Sequence, residues 1–250
     1  MELAGRTALV TGSSRNLGAA IARELAARGA RVAVTYHQSE AEARRLTDAL
    51  ASVDAGPHVV FGVDLSDPAE VRGLCAEVTS VLGGADILVN NAGPFSMDPF
   101  VELSEDDWDR IWDTNVKTAY LCTQSLAPGM RSRGWGRIVN VSAGSAFIRN
   151  HSVYTLAKRA LITLTEELAL ELGPEITVNC VAPGQIAESA VDIMEFDPSF
   201  VERAIAWTPR GRLATRPEVA AIVAEICGPR FDIVTGATIP IDGGWSLPRF

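Results

Sequence analysis

Tyr154 and Lys158 are the residues whose types and spacing most directly indicate chemistry. They lie four residues apart within a helical pattern, which places them one turn apart on the same helical face. Phenols and ammonium groups both titrate at about 10, and a lysine held beside a phenol lowers the pKa of that phenol. The chain has only two lysines against twenty arginines, which indicates that Lys158 has a role an arginine could not fill. The pair predicts a tyrosine that donates a proton near neutral pH.

A glycine-bearing turn near the N-terminus predicts a phosphate-binding site. The run Thr11–Gly18 follows a β-branched stretch and opens a helical pattern. Backbone N–H groups in such a turn can approach a pyrophosphate, and the helix dipole favours its negative charge. The alternative is a helix cap with spare glycines. The residues predicted to contact a dinucleotide here are Gly12, Ser14, Arg15, Asn16, Leu17 and Gly18.

The residues after the second predicted strand favour NADP(H) over NAD(H). An NAD site usually ends this strand with a carboxylate that holds the ribose 2′-hydroxyl, but here no acid occurs before Glu40. Arg15 can meet a 2′-phosphate instead, since a guanidinium suits phosphate oxygens. The other interpretation of Arg15 is a solvated surface arginine. Further predicted contacts are Tyr36, His37 and Ser39.

Short apolar runs alternate with longer helical patterns along the whole chain, which predicts parallel βαβ units in a doubly wound α/β sheet. We expect residues 1–250 to form a single domain. The predicted strands are Thr7–Thr11, Arg31–Tyr36, Val59–Val63, Ile87–Asn90, Arg137–Val141, Ile176–Val181 and Thr238–Ile241. The predicted helices are Gly18–Arg28, Glu40–Ala51, Pro68–Leu82, Glu105–Ser132, Val153–Leu172 and Pro217–Cys227.

Two helices carry start signals, and one long stretch departs from the alternation. Asp67 precedes Pro68, and Ser104 is followed by Asp107, which are typical of helix N-termini.

The stretch Gln185–Arg216 lies between the sixth strand and the last helix. Because so long a connection in a compact domain is usually functional, we interpret it as a lid over the active site.

Composition excludes several classes of function. A net charge of −9 argues against a nucleic-acid-binding surface, and no apolar run is long enough to span a membrane. The four cysteines are widely spaced and lack the pairing of metal sites, so we expect buried thiols in a reducing compartment and no metal. These features predict a cytoplasmic protein.

Taken together, the motifs resemble those of the short-chain dehydrogenase/reductase family, and in layout those of β-ketoacyl-carrier-protein reductases. The resemblance covers essentially the whole chain. It rests on Thr11–Gly18, Asn90–Gly93, Asn115 within Asp113–Val116, Tyr154 with Lys158, Asn179, and Pro183–Gly184.

The resemblance implies a seven-stranded Rossmann sheet, a homotetramer and a defined set of site residues. Tyr154 would be the acid/base, Lys158 would bind the nicotinamide ribose and tune Tyr154, and Asn115 would support a proton-relay water. The implied cofactor contacts are Asp64 and Leu65 beside the adenine, Asn91, Ala92 and Gly93 along the channel, and Pro183, Gly184 and Ile186 beside the nicotinamide.

The sequence departs from the family pattern at two places. Asn16 stands where the glycine turn normally has a glycine, and asparagine tolerates left-handed backbone better than other residues with a side chain. At the catalytic serine, the count from the fifth strand reaches Ala143 and the count back from Tyr154 reaches Val141. Ser142 is our assignment and Ser145 is the alternative, while either serine could merely cap the following turn.

The substrate pocket is predicted from position alone. Its candidate residues are Phe95, Met97, Asn150, His151, Gln185, Met194 and Phe196. Apolar walls with a few polar groups suit a flat, partly oxygenated molecule. The segments 93–100 and 147–154 resemble those of ketoreductases that act on aromatic polyketides of the angucycline C-6 type. The alternatives are reduction of a β-ketoacyl thioester and, from another class, a non-catalytic dinucleotide-binding sensor or scaffold.

Overall fold

Seven parallel strands form one sheet in the spatial order β3-β2-β1-β4-β5-β6-β7. The computed structural model describes residues 1–50, 57–96, 98–148, 152–194 and 197–247. The order reverses between β1 and β4, where ligands bind in sheets of this kind. The predicted doubly wound, seven-stranded architecture is therefore confirmed. The strands are β1 Thr7–Val10, β2 Arg31–Tyr36, β3 Val59–Gly62, β4 Ile87–Asn90, β5 Gly136–Val141, β6 Ile176–Pro183 and β7 Thr238–Ile241.

Helices cover both faces of the sheet, and each face buries its own apolar cluster. Strands β1, β4, β5 and β6 are almost completely buried because both of their faces are covered. The helices are α1 Asn16–Ala27, α2 Glu40–Leu50, α3 Pro68–Leu82, α4 Glu105–Trp112, α5 Thr118–Ser132, α6 Val153–Leu172, α7 Ala187–Ile193, α8 Phe200–Ala206 and α9 Arg216–Ile226.

Side-chain caps set where several helices begin. Asp67 accepts a hydrogen bond from the backbone of Ala69 at the start of α3, and Ser104 accepts one from Asp107 at the start of α4. Thr215 and Glu218 form a reciprocal capping box at the start of α9. The two start signals predicted from the sequence, at Asp67 and Ser104, are confirmed.

The predicted helix Glu105–Ser132 is interrupted. One wide π-helical turn, Asp113–Lys117, separates α4 from α5. Such turns add a residue to the helix and often occur at functional sites. This turn contains Asn115, so the interruption decides where that side chain points.

The predicted lid contains secondary structure that the sequence pattern did not reveal. Helices α7 and α8 lie within it, and a small cluster around Ala190, Ala204 and Leu213 packs them together. The two ends of the segment meet, because Ile186 and Ala214 form a parallel bridge. The helices are only seven residues each, which is too short for a reliable periodic signal.

Candidate active site

The glycine turn is held in place by a polar network on β2 that the sequence analysis did not identify. The backbone N–H of Gly12 donates to Thr35 Oγ1 at 2.8 Å, and the backbone N–H of Thr35 donates to Ser13 Oγ at 2.9 Å. Ser13 Oγ in turn donates to the carbonyl of Val10 at 2.7 Å. Ser13 and Thr35 are completely buried. Because buried polar groups are costly to leave unpaired, this network fixes the shape of the turn.

Asn16 adopts the left-handed conformation that its position requires, with φ 53°. It is the one residue other than glycine with positive φ in the ranges that the structure describes. The prediction that the turn survives without a glycine here is confirmed. Gly18 could not be replaced in the same way, since a Cβ would lie 2.3 Å from the carbonyl oxygen of Gly12.

Asn91 joins the end of β4 to the glycine turn. Its side-chain amide donates to the carbonyls of Thr11 at 3.0 Å and Gly12 at 3.2 Å. Thr11 Oγ1 accepts from the backbone N–H groups of Asn91 and Ala92. The carboxyl ends of β1 and β4, on either side of the reversal point, are therefore joined by hydrogen bonds.

An open cleft of about 570 Å³ runs over these strand ends. Its lining includes all of the residues predicted for the phosphate and adenine end of a dinucleotide, and it adds Thr35, Gln38, Val63, Ser66, Pro94, Arg110 and Thr114. The predicted residues found there are Gly12, Ser14, Arg15, Asn16, Leu17, Gly18, Tyr36, His37, Ser39, Asp64, Leu65, Asn91, Ala92 and Gly93.

Charges in the cleft match the sequence prediction in part. Arg15 is exposed at the N-cap of α1, and β2 ends at Tyr36 without a carboxylate. His37 Nε2 lies 3.8 Å from Asp64 Oδ2. Hydrogen bonds from Ser66 lower the pKa of the Asp64 carboxyl, so it is ionised at neutral pH. Asp64 follows β3, however, and is not the strand-ending acid of an NAD site.

Lys158, Asn115 and Gly93 meet beyond the glycine turn. A Cβ on Gly93 would lie 2.1 Å from Asn115 Oδ1 and 3.2 Å from Lys158 Nζ. Lys158 Nζ donates to the carbonyl of Val141 at 2.8 Å and lies 5.5 Å from the centre of the Tyr154 ring. The predicted proximity of Tyr154 and Lys158 is present, and Asn115 Oδ1 and Lys158 Nζ both lie beside Gly93.

Asn115 presents a free acceptor. Its amide nitrogen donates to the carbonyls of Ile111 at 2.9 Å and Pro94 at 3.2 Å. Its Oδ1 atom is buried and has no hydrogen-bond partner in the described part of the chain. A buried acceptor without a partner is uncommon and suits a bound water or ligand donor.

In the chain alone, burial opposes the predicted lowering of the Tyr154 pKa by Lys158. Burial raises the pKa of Tyr154 to about 12 and lowers the pKa of Lys158 to about 8. Removal from water disfavours the charged form of each group, and here that effect exceeds any attraction between them. The phenol therefore keeps its proton at neutral pH.

The two candidate serines differ in their surroundings. Ser142 is buried, and its hydroxyl donates to the backbone carbonyl of Lys158 at 2.7 Å. Ser145 lies on a short 3-10 turn that packs against α6 and β6, and its buried hydroxyl has no partner among the described residues. The hydroxyl of Ser142 thus already donates its proton in a hydrogen bond within the fold, whereas the hydroxyl of Ser145 does not.

Other predicted contacts lie at the carboxyl ends of β5 and β6. Pro183 ends β6 and Ile186 caps α7. A Cβ on Gly184 would lie 2.6 Å from the Asp242 side chain, and one on Gly144 would lie 3.1 Å from Gly184, so backbones approach closely there.

Only part of the predicted substrate pocket is described. Phe95 packs edge-on against Tyr154, with ring centres 5.0 Å apart, and is 57% exposed. Met194 directly follows α7 at its C-cap position and is partly exposed, and Gln185 is half-buried. Met97, Asn150, His151 and Phe196 lie outside the described residues.

All four cysteines are buried free thiols, as expected. No helix in the described ranges is long and apolar enough to cross a membrane, and no group of potential metal ligands occurs among those residues.

Comparison with known proteins identifies the family. The family model described as enoyl-(acyl carrier protein) reductase matches residues 12–246. The 3-oxoacyl-[acyl-carrier-protein] reductase of Vibrio cholerae is 33% identical, over 98% of this chain and 98% of its own. The chain belongs to the short-chain dehydrogenase/reductase family. It is accordingly an oxidoreductase of a family that binds nicotinamide dinucleotides, and the sequence-based assignment is confirmed.

Solved structures of this family superpose closely on the chain but differ in the cofactor that they contain. A gluconate 5-dehydrogenase from Burkholderia cenocepacia, in complex with NADP and tartrate, has a TM-score of 0.91 at 28% identity and covers 99% of this chain and 98% of its own. A 7α-hydroxysteroid dehydrogenase in complex with NADH also has a TM-score of 0.91, at 29% identity, with 97% and 95% covered. Similarity of the whole fold therefore does not distinguish NADP(H) from NAD(H), and the residues that line the cleft must do so.

Proposed function

We propose that this short-chain dehydrogenase/reductase is an NADP(H)-dependent ketoreductase in which Tyr154 donates the proton. The observation that carries the proposal is the meeting of Lys158 Nζ and Asn115 Oδ1 at Gly93, beside Tyr154 and at the end of the dinucleotide cleft. A proton donor, a cation and a hydrogen-bond acceptor therefore lie together at the place where a carbonyl would be reduced.

The residues present fit a bound dinucleotide. Close packing at Gly12 and Gly18, where a Cβ would clash with neighbouring protein atoms, makes the turn tight enough to present its backbone to a pyrophosphate, and the acceptor Asn115 Oδ1 has no partner within the described chain. When bound, NADPH supplies a hydride to the carbonyl carbon of the substrate. The proton and the groups that orient the reaction come from the side chains of the protein.

Tyr154 donates its phenolic proton to the carbonyl oxygen, so that hydride and proton together give an alcohol. Burial raises the pKa of Tyr154 to about 12, so the phenol carries the proton that it donates. Lys158 places a cation beside the phenolate that remains, which stabilises it. Asn115 Oδ1 accepts a hydrogen bond from a water that returns a proton from solvent.

The preference for NADP(H) is proposed from the second strand and the glycine turn. Arg15 is exposed and lines the cleft together with His37 and Ser39, and no acid ends β2 to hold a 2′-hydroxyl. The test is the ratio of kcat/KM for NADPH and NADH in the wild type and in Arg15→Ala. A clear preference for NADH in the wild type would refute this part of the proposal.

The serine that orients the carbonyl stays a prediction, and two variants distinguish the candidates. Our sequence-based assignment is Ser142. The free hydroxyl of Ser145 favours Ser145 instead, because Ser142 would have to give up its hydrogen bond to Lys158. Loss of turnover in Ser145→Ala with near-normal turnover in Ser142→Ala would establish Ser145, and the reverse would restore Ser142.

For the substrate, we propose a flat aromatic ketone such as an angucyclinone polyketide. Phe95 stands edge-on to Tyr154 and half-exposed, where it can stack on an aromatic ring, and Met194 adds an apolar contact from the lid. The second candidate is a β-ketoacyl thioester, which the similarity to the Vibrio cholerae reductase favours. Assays of NADPH oxidation with a polyphenolic angucyclinone and with an acetoacetyl thioester separate them, and activity on the thioester alone would refute the aromatic substrate.

The same assays address the non-catalytic alternative. A sensor or scaffold would bind NADPH but not oxidise it with any of a broad panel of carbonyl compounds. An intact Tyr154 and Lys158 pair has no purpose in such a protein. Turnover that is abolished by Tyr154→Phe would exclude it.

We further propose a homotetramer in the cytoplasm that acts on a small molecule, without nucleic acid or membrane partners. Four buried free thiols suit a reducing compartment, and the net charge of −9 disfavours anionic polymers. Light scattering after size-exclusion chromatography tests the assembly, and a dimer or monomer mass would refute the tetramer.

A further inference from the structure

We propose that Arg110 binds the adenine base of the cofactor, held in position by Asp107. The inference rests on the proposed dinucleotide site and adds a residue that the motifs did not include. Arg110 lies on α4, and it lines the cleft together with Thr114, which is one helical turn further along the chain.

The location of the adenine follows from the two ends of the cleft. The pyrophosphate belongs at the glycine turn, where the N-terminus of α1 presents its backbone N–H groups. The reactive end of the cofactor belongs at Gly93, beside Tyr154 and Lys158. The adenosine must then extend the other way, toward the residues that follow β2 and β3.

Arg110 lines the same cleft as the residues that follow β3. It shares the cleft wall with Leu65 and Ser66, which follow β3. Thr118 Oγ1 donates to the carbonyl of Leu65 at 2.6 Å, so the loop after β3 is fixed against the beginning of α5. Arg110 and Thr114 therefore contribute to the cleft from the segment that runs from α4 to α5, and the Arg110 side chain is a partly exposed cation in that lining.

Asp107 positions the guanidinium without removing it from the cleft. Arg110 Nη2 lies 2.8 Å from Asp107 Oδ1, and the Arg110 side chain is still 49% exposed. The other oxygen of Asp107 accepts a hydrogen bond from Ser104 at 2.7 Å, which anchors the carboxylate at the start of the helix. A planar guanidinium held in this way can stack on a purine ring, whereas a lysine ammonium cannot do so as well.

The contact predicts which ligands Arg110 affects. NADPH and NADH share the adenine base, so Arg110→Ala should weaken the binding of both by the same factor, about 3- to 30-fold for one cation–π contact. Reduced nicotinamide mononucleotide lacks the adenosine, and its binding should be unchanged. Arg110→Lys should recover only part of the loss, and Asp107→Asn should weaken both dinucleotides by a smaller factor.

The experiment is a fluorescence titration of the free protein with each of the three ligands. Arg45→Ala is the matched control, because Arg45 pairs with an acid three residues earlier in its helix but does not line the cleft. Unchanged dinucleotide binding in Arg110→Ala would overturn the inference. A loss confined to NADPH would also overturn it, because Arg110 would then contact the 2′-phosphate.

The outcome for the proposed function is separate. If the wild type bound neither NADPH nor NADH, the proposed function itself would fail. If the wild type bound NADPH and Arg110→Ala bound it equally well, only the role of Arg110 would be refuted.

Discussion

Gly93→Ala is the substitution with the sharpest expected effect on the proposed chemistry. A Cβ at this position would lie 2.1 Å from Asn115 Oδ1, whereas ordinary contact begins at 3.4 Å, so the two atoms must separate by about 1.3 Å. Asn115 cannot move freely, because its amide donates to Ile111 and Pro94 from within a rigid π-helical turn. The methyl group must therefore displace Asn115, the backbone of Gly93, or both.

The cost is expected in both stability and catalysis. Losing the two hydrogen bonds of Asn115 would cost about 1 kcal/mol each, or roughly 2 kcal/mol of unfolding free energy. A displacement of about 1 Å at a catalytic group lowers the rate by roughly 100-fold. Because the methyl would also lie 3.2 Å from Lys158 Nζ, we expect the loss in kcat to exceed the change in KM.

The assay combines thermal unfolding with steady-state NADPH oxidation on whichever ketone the wild type reduces. Gly73→Ala is the matched control, since Gly73 lies on α3 and no atom comes within 4 Å of the position that a Cβ would occupy there. Replacing an exposed helical glycine should stabilise the protein by about 0.5–1 kcal/mol and leave kcat unchanged. A Gly93→Ala enzyme with wild-type kcat and wild-type stability would refute the placement of Asn115 beside Gly93.

Three further predictions concern groups whose surroundings are clear. Thr35→Val should destabilise the fold by about 1–3 kcal/mol and weaken NADPH binding, because the buried N–H of Gly12 loses its acceptor; chemical denaturation and titration measure both. Burial lowers the pKa of His58, whose Nδ1 accepts a hydrogen bond from the backbone N–H of Val32. The stability that neutral His58 contributes should therefore be complete above pH 6.5, the ordinary pKa of histidine, and should be lost as the pH falls through the lowered pKa. Reduction should decline as the pH rises through about 8, where Lys158 loses its charge, and kcat against pH measures this.

Each of these predictions has a specific control or contrary result. Thr47→Val removes a hydroxyl that bonds only within α2, so it should leave NADPH binding unchanged, and equal weakening by both valine variants would count against the network at the glycine turn. His58→Gln should flatten the acid side of the stability curve, and an unchanged curve would contradict the role of His58. A reduction rate that stayed constant well above pH 8 would contradict the role assigned to the Lys158 ammonium.

The sequence by itself determined the family, the order of the strands along the chain and most of the residues that line the cleft at the glycine turn. These features depend on local signals: apolar runs long enough for buried strands, a glycine turn directly before a helix, and Tyr154 and Lys158 one turn apart. Asn16 shows the strength of such signals, because its tolerance for left-handed backbone was sufficient to predict the conformation that it adopts.

Tertiary structure alone decided how distant residues act on one another. Three features show this: the π-helical turn that contains Asn115, the hydrogen bond between Thr35 and Ser13, and the hydrogen bond from Ser142 to the carbonyl of Lys158. The pKa of Tyr154 depends on burial by the whole fold, so the direction of its shift did not follow from its spacing to Lys158. Spacing along a chain reports which side chains share a face, but desolvation and hydrogen-bond partners are set only when the elements pack together.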